Sequence, residues 1–229
     1  MKNNTYYAGK NGSQIMNTNN FSKEIVRYLN YEQAYISKIL SKYIHGTLIE
    51  LGCDEVRLYG CSAMNEVNYI GVDIRGSLKP CIDDYLSKNS HVKGKFIHSC
   101  LSDFYELLNI ELVPILCVFP FNLIGNLNEC KSQINNCYLH GFDVVISQFN
   151  TTDKAKEIRL DYYKKCGIPH IFLKKTNEGD IFKGLDFESK SYNKNFIIES
   201  CINVGFNHID SYESELISIH YFSKRVGGE

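Results

Sequence analysis

Five short apolar runs, four of them followed by a stretch with helical spacing, constrain this chain more than any other feature. They are Thr47–Leu51, Tyr69–Ile74, Lys95–His98, Val113–Phe121 and Asp143–Phe149. Each run is nearly continuous in hydrophobicity, as expected of strands buried on both faces of a parallel sheet. The spacing predicts helices over Lys79–Lys88, Ser102–Leu108 (capped by Ser102 or Asp103), about Asn126–Leu139, and Thr152–Cys166, with Gly141 and Gly167 as stops. Ahead of the first strand, Phe21–Ile44 reads as a helix capped by Ser22 and stopped by Gly46, with a break at Asn30-Tyr31. The stretch between the first two strands reads as a linker.

After Gly167 the texture changes. Ile171–Lys175, the turn Asn177-Glu178-Gly179-Asp180 and Ile181-Phe182 read as a hairpin. Ser191–Gly205 reads as a helix, and Phe206–Ser211 with Leu216–Ser223 as an antiparallel hairpin closing the sheet edge. The chain divides into a segment and helix packed on the core, 1–46, and a main domain, 47–229. Residues 1–20 are rich in Asn, Gly, Lys and Ser around Tyr6-Tyr7, which suits either a disordered tail or an aromatic lid.

With 25 basic and 26 acidic residues and a net charge of −1, the chain carries no electrostatic footprint for nucleic acid or an anionic membrane, so neither is expected as a partner. Nine cysteines lack any C-x-x-C or C-x-x-H spacing, and several sit in apolar runs. That pattern predicts reduced thiols, no metal site and a cytoplasmic protein. The most apolar run, Val113–Phe121, is interrupted by prolines, so no membrane span is expected. A 44% apolar composition with frequent Tyr and Phe suits a small-molecule substrate; a monomer or homodimer is the expected state.

In a parallel sheet, ligands meet the carboxyl ends of the strands. The first strand ends Glu50-Leu51-Gly52-Cys53-Asp54, where Gly52 permits close backbone approach. Asp73 ends the second strand roughly twenty residues later, the spacing of an acid that accepts both hydroxyls of a ribose.

Glu50-Leu51-Gly52-Cys53, Gly71-Val72-Asp73-Ile74 and Phe119-Pro120-Phe121-Asn122-Leu123-Ile124-Gly125-Asn126-Leu127 together resemble class I S-adenosylmethionine-dependent methyltransferases of the small-molecule type. The resemblance covers Leu48 to the C-terminus. It implies an α/β, Rossmann-like, doubly wound and mostly parallel seven-stranded sheet with an antiparallel closing strand, here with an N-terminal helical lid. The cofactor implied is S-adenosyl-L-methionine. The sequence departs from the family's Glu-Leu-Gly-Cys-Gly-x-Gly pattern, because Asp54 and Val56 replace the second and third glycines. Those side chains either obstruct the methionine end or signal a different loop path.

Carried over position by position, Glu50, Gly52 and Cys53 face the methionine part of the cofactor, Asp73 holds the ribose and Ile74 packs on the adenine. Leu101, Ser102 and Asp103 reach the adenine amino group, or the family's usual acid in this region corresponds instead to Cys100, and Phe119 to Asn122 line the floor between cofactor and substrate. Asn122 is the best polar candidate there. Tyr162-Tyr163, with Arg159 one turn earlier, lie on a helix that can overhang the pocket, which makes Tyr163 a catalytic candidate beside Asn122. Tyr6 and Tyr7, as a lid, could face a sulfonium by cation–π attraction of roughly 0.5–2 kcal/mol. The activity implied is methyl transfer to a small molecule, in specialised metabolism. One alternative is intramolecular cyclisation of the cofactor's aminobutyrate arm to azetidine-2-carboxylate with release of methylthioadenosine. Another is a non-catalytic binding protein of the same fold.

Overall fold

The computed structural model describes residues 6–7, 9–108 and 113–224. Ten strands and seven α-helices are described: β1 (Thr47–Leu51), β2 (Asn68–Asp73), β3 (Gly94–His98), β4 (Ile115–Phe119), β5 (Asp143–Phe149), β6 (Phe172–Thr176), β7 (Gly179–Lys183), β8 (Glu188–Tyr192), β9 (Asn207–Glu213) and β10 (Ile217–Ser223). The helices are α1 (Lys23–Leu40), α2 (Tyr59–Met64), α3 (Lys79–Lys88), α4 (Phe104–Leu107), α5 (Cys130–Leu139), α6 (Asp153–Lys165) and α7 (Lys194–Val204).

Seven strands form one sheet in the order β3-β2-β1-β4-β5-β10-β9, and only β10 runs against the rest. The expected doubly wound sheet with one reversed strand is therefore present. Strands β1 and β5 are buried along their whole length, which is why they are mostly apolar on both faces, with buried polar exceptions such as Glu50, Ser147 and Gln148. Side chains alternate between two cores. Leu48, Leu116, Val118, Val145 and Ile219 face the layer of α1, α2 and α3, whereas Ile49, Cys117, Phe119, Val144 and Phe222 face α4, α5 and α7.

Helix α1 starts where Ser22 Oγ accepts from the Ile25 N–H at 3.3 Å and runs unbroken through Asn30-Tyr31, contrary to the expected interruption. Its buried stripe of Ile25, Tyr28, Leu29, Ile36 and Ile39 carries the helix across those polar positions. The stretch after Asp54 is also more than a linker, since α2 lies within it. Thr152 caps α6, accepting from Ala155 N–H at 3.1 Å, with Asp153 in its first turn and Lys164 and Lys165 in its last. Asp103 occupies the cap position of α4, but its side chain makes no capping hydrogen bond there.

The expected hairpin after Gly167 is β6–β7. A third strand, β8, completes a separate antiparallel sheet, β6-β7-β8, so Ser191 and Tyr192 belong to a strand and not to the following helix. Polar inward residues Ser189 and Ser191 give β8 no apolar signature. This small sheet reaches the end of β4 through Gly125, where an added Cβ would lie 2.0 Å from the Lys190 carbonyl oxygen. Among the described residues no helix is long and apolar enough to cross a membrane.

Candidate active site

A cavity of about 420 Å³ opens at the carboxyl ends of β1, β2, β3 and β4. Small-molecule sites span roughly 300–1,000 Å³. Glu50, Gly52, Cys53, Asp73, Ile74, Leu101, Ser102 and Tyr7 all line it, so the structure brings eight of the residues expected at the site to one place.

The turn after β1 keeps a glycine-type backbone without the glycines. Gly52, Asp54 and Val56 have φ of +60°, +47° and +55°. Positive φ is uncommon for Asp and costly for β-branched Val. Val56 turns its side chain into the core, and Asp54 turns toward Arg75, whose guanidinium binds Asp54 Oδ1. A side chain at Gly52 would be strained at its φ of +60°, and its Cβ would press on Leu123 Cδ1 at 3.1 Å.

Asp73 is held from four directions. Oδ1 accepts from the Arg75 N–H at 2.9 Å and Arg75 Nε at 3.2 Å; Oδ2 accepts from the Asp54 N–H at 3.1 Å and Arg75 Nη2 at 3.3 Å. The bonds to the carboxylates hold the Arg75 guanidinium charged, well above its ordinary value despite burial.

Glu50 is buried and accepts from the Tyr69 hydroxyl at 2.6 Å and the Leu58 N–H at 3.1 Å. Loss of water pushes its carboxyl up to about 7, with nearby Arg57 opposing the shift. Arg57 also pairs through Nη2 with Glu32, a fully buried acid on α1 whose Oε1 accepts from the Phe121 N–H at 2.7 Å. The Arg57 Nη1 is buried with no hydrogen-bond partner among the described residues.

Other expected site residues lie elsewhere. Phe119 is fully buried in the core facing α4 and α5, because strand alternation turns it from the cavity; Pro120 and Phe121 line it instead. Asn122, with φ +62°, braces the core. Its Nδ2 donates to Ser189 Oγ at 3.2 Å and the Lys190 carbonyl at 3.0 Å, and its Oδ1 accepts from the Phe149 N–H at 3.2 Å. Asp103 is exposed and accepts from Ser102 Oγ at 2.7 Å. Tyr6 stacks edge-on against Phe187 with centroids 5.1 Å apart, outside the cavity lining. Tyr163 is buried behind the wall, its hydroxyl accepting from Arg159 Nε at 2.8 Å.

The sequence reading missed Arg57, Arg75, Ile15, Met16, Asn126, Glu129 and Gln133, all in the lining. Asn126 lay inside a quoted motif; the others carry no local signal, since only the folded chain brings them to the cleft.

No protein-family model matches the chain, and no curated protein matches it in sequence. Solved structures do. A Pyrococcus horikoshii protein superposes with a TM-score of 0.65 at 12% identity, over 95% of this chain and 100% of that one. An S-adenosylmethionine-dependent methyltransferase of Clostridium acetobutylicum gives 0.56 at 11%, over 86% and 91%. The 1,6-didemethyltoxoflavin-N1-methyltransferase of Burkholderia thailandensis, solved with its substrate and S-adenosylhomocysteine, gives 0.57 at 11%, over 84% and 78%. With its β3-β2-β1-β4-β5-β10-β9 sheet and a single reversed strand, the chain has the fold of S-adenosylmethionine-dependent methyltransferases.

Proposed function

We propose that this protein is an S-adenosylmethionine-dependent methyltransferase acting on a small-molecule acceptor. The observation that carries the reading is the placement of Glu50, the Gly52 turn and Asp73 around one cavity at the ends of β1 and β2. The donor set suits the cofactor. Asp73 can offer its carboxylate oxygens to a ribose diol in exchange for the Arg75 guanidinium, whose two bonds now fill the sites left by the Asp54 and Arg75 amides; Ile74 and Leu123 offer apolar faces to a purine, and Glu50 sits where an ammonium needs a counter-charge. When bound, the cofactor supplies an electrophilic methyl group on a sulfonium. The chain's own task is then to align the acceptor and keep the site dry.

Tyr7, Ile15, Met16 and Phe121 form the apolar wall on the acceptor side. Asn122 and Tyr163 are positioning residues, acting through Ser189, to which both are hydrogen-bonded. An N-terminal cover over residues 1–46 and a main domain over 47–229 fit this division of labour.

The test is incubation with S-adenosylmethionine, with and without candidate acceptors. S-adenosylhomocysteine formed only with acceptor supports transfer. Methylthioadenosine formed without acceptor would replace transfer by intramolecular cyclisation. Absence of cofactor binding by calorimetry would overturn both and leave a binding protein of this fold.

A further inference from the structure

Arg159 is fully buried on α6, and no carboxylate lies within ion-pair distance of it among the described residues. Its partners are all neutral: Tyr163 OH at 2.8 Å, Ser189 Oγ at 2.7 Å, the Lys190 carbonyl at 3.0 Å, and Ser191 Oγ. The rings of Phe182, Phe149 and Tyr163 lie 4.3, 5.0 and 5.3 Å from its guanidinium carbon. Hydrogen bonds and ring faces hold the guanidinium in place, but they leave its charge without a counter-ion.

That charge reaches the cavity through Ser189. Its hydroxyl donates to Asn126 Oδ1, and among the described residues the Asn126 amide NH2 has no hydrogen-bond partner, on a residue that lines the cavity. Three donors converge on the same oxygen: Arg159 Nη2, Asn122 Nδ2 at 3.2 Å and Tyr163 OH at 3.1 Å. A serine oxygen has two lone pairs, so it cannot serve all three, and it has no acceptor capacity left for Tyr7. Tyr7 lines the cavity, where its hydroxyl can donate to a ligand. Burial keeps its hydroxyl protonated, and hence a donor, far above neutral pH.

We infer that the methyl acceptor is a small organic oxyanion, a phenolate or enolate, whose charged oxygen is held by Asn126 Nδ2 and the Tyr7 hydroxyl in front of the buried Arg159. This names the substrate class of the site assigned above and rests on that assignment. The acidic hydroxyl loses its proton to water as its oxygen meets the Asn126 and Tyr7 donors with the Arg159 charge behind them, so no general base is required. The oxyanion then attacks in line: an O–CH3 bond forms, the S–CH3 bond breaks, and its electron pair returns to sulfur.

The test uses 4-nitrophenol and its uncharged analogue nitrobenzene, each added to the protein saturated with S-adenosylhomocysteine. The bound phenol should absorb as the phenolate, with its pKa lowered by about one unit or more, and the phenolate should bind roughly tenfold or more tighter than nitrobenzene. Asn126→Ala should weaken the preference, and Arg159→Gln should abolish the pKa shift. The wild-type comparison stands by itself if Arg159→Gln does not fold. Equal binding of the two probes, a raised pKa, or no binding of phenolate while S-adenosylhomocysteine binds normally would overturn the inference. Failure of S-adenosylhomocysteine itself to bind would overturn the methyltransferase reading beneath it.

Discussion

The backbone N–H of Asp54 donates to Asp73 Oδ2 at 3.1 Å, and the guanidinium of Arg75 bridges the two carboxylates. Asp54 stands where the resembled motif has its second glycine, yet its φ of +47° is that of a glycine. The Asp54 amide thus reaches the Asp73 carboxylate, and the Asp54 carboxylate takes Arg75 as its partner.

Asp54→Gly should be more stable than Asp54→Ala by about 1 kcal/mol, because both lose the Arg75 pair but only glycine is relaxed at positive φ. Thermal unfolding of the two variants measures this directly. Equal stabilities would mean that the turn is not in the left-handed region.

Asp73→Ala should weaken cofactor binding by about 1.5–3 kcal/mol, the scale of hydrogen bonds to a charged group. Calorimetry with S-adenosylhomocysteine reads it, and unchanged affinity would move the ribose elsewhere.

Glu50→Gln should act with opposite signs on stability and on binding. In the fold the Glu50 carboxyl is raised to about 7 by burial, above its unfolded value. Its contribution to stability is thus fully present below about pH 4.5 and lost as pH rises to about 7, a change of about 3 kcal/mol. Glutamine does not ionise, so the variant should unfold at a higher temperature than wild type at pH 8. Cofactor binding should fall, since the ammonium loses its counter-charge. The wild-type affinity itself should rise from about pH 6 to 8 as Glu50 ionises.

His220 on β10 is fully buried, and neither ring nitrogen has a partner among the described residues. Burial lowers its pKa to about 4, with His208 adding to the effect. Here the folded value lies below the unfolded one, so the stability it confers is present above about pH 6.5 and is lost as pH falls toward 4. His220→Phe, flanked by Phe222 and His208, should flatten the acid limb of the stability profile over that window. Denaturant titrations at several pH values check it.

The sheet was legible because burial on both faces writes itself into local sequence. Strands such as Asp143–Phe149 and helices such as Lys79–Lys88 emerge with their observed limits. The acids at the strand ends, Glu50 and Asp73, were legible for a related reason: a charge that closes an apolar run stands out. Three other features depended on tertiary contact. The strand β8 stayed hidden because its inward side chains are serines that serve the Arg159 guanidinium instead of an apolar core. Phe119 and Asn122 left the cavity because strand alternation and the turn after β4 point them into the core. Glu32 and Arg57 lie 25 positions apart and meet only when α1 packs on the sheet. Local burial patterns determined the architecture and the two acids. Which polar groups surround them was decided by folding, because buried charges find their partners across elements far apart in the chain.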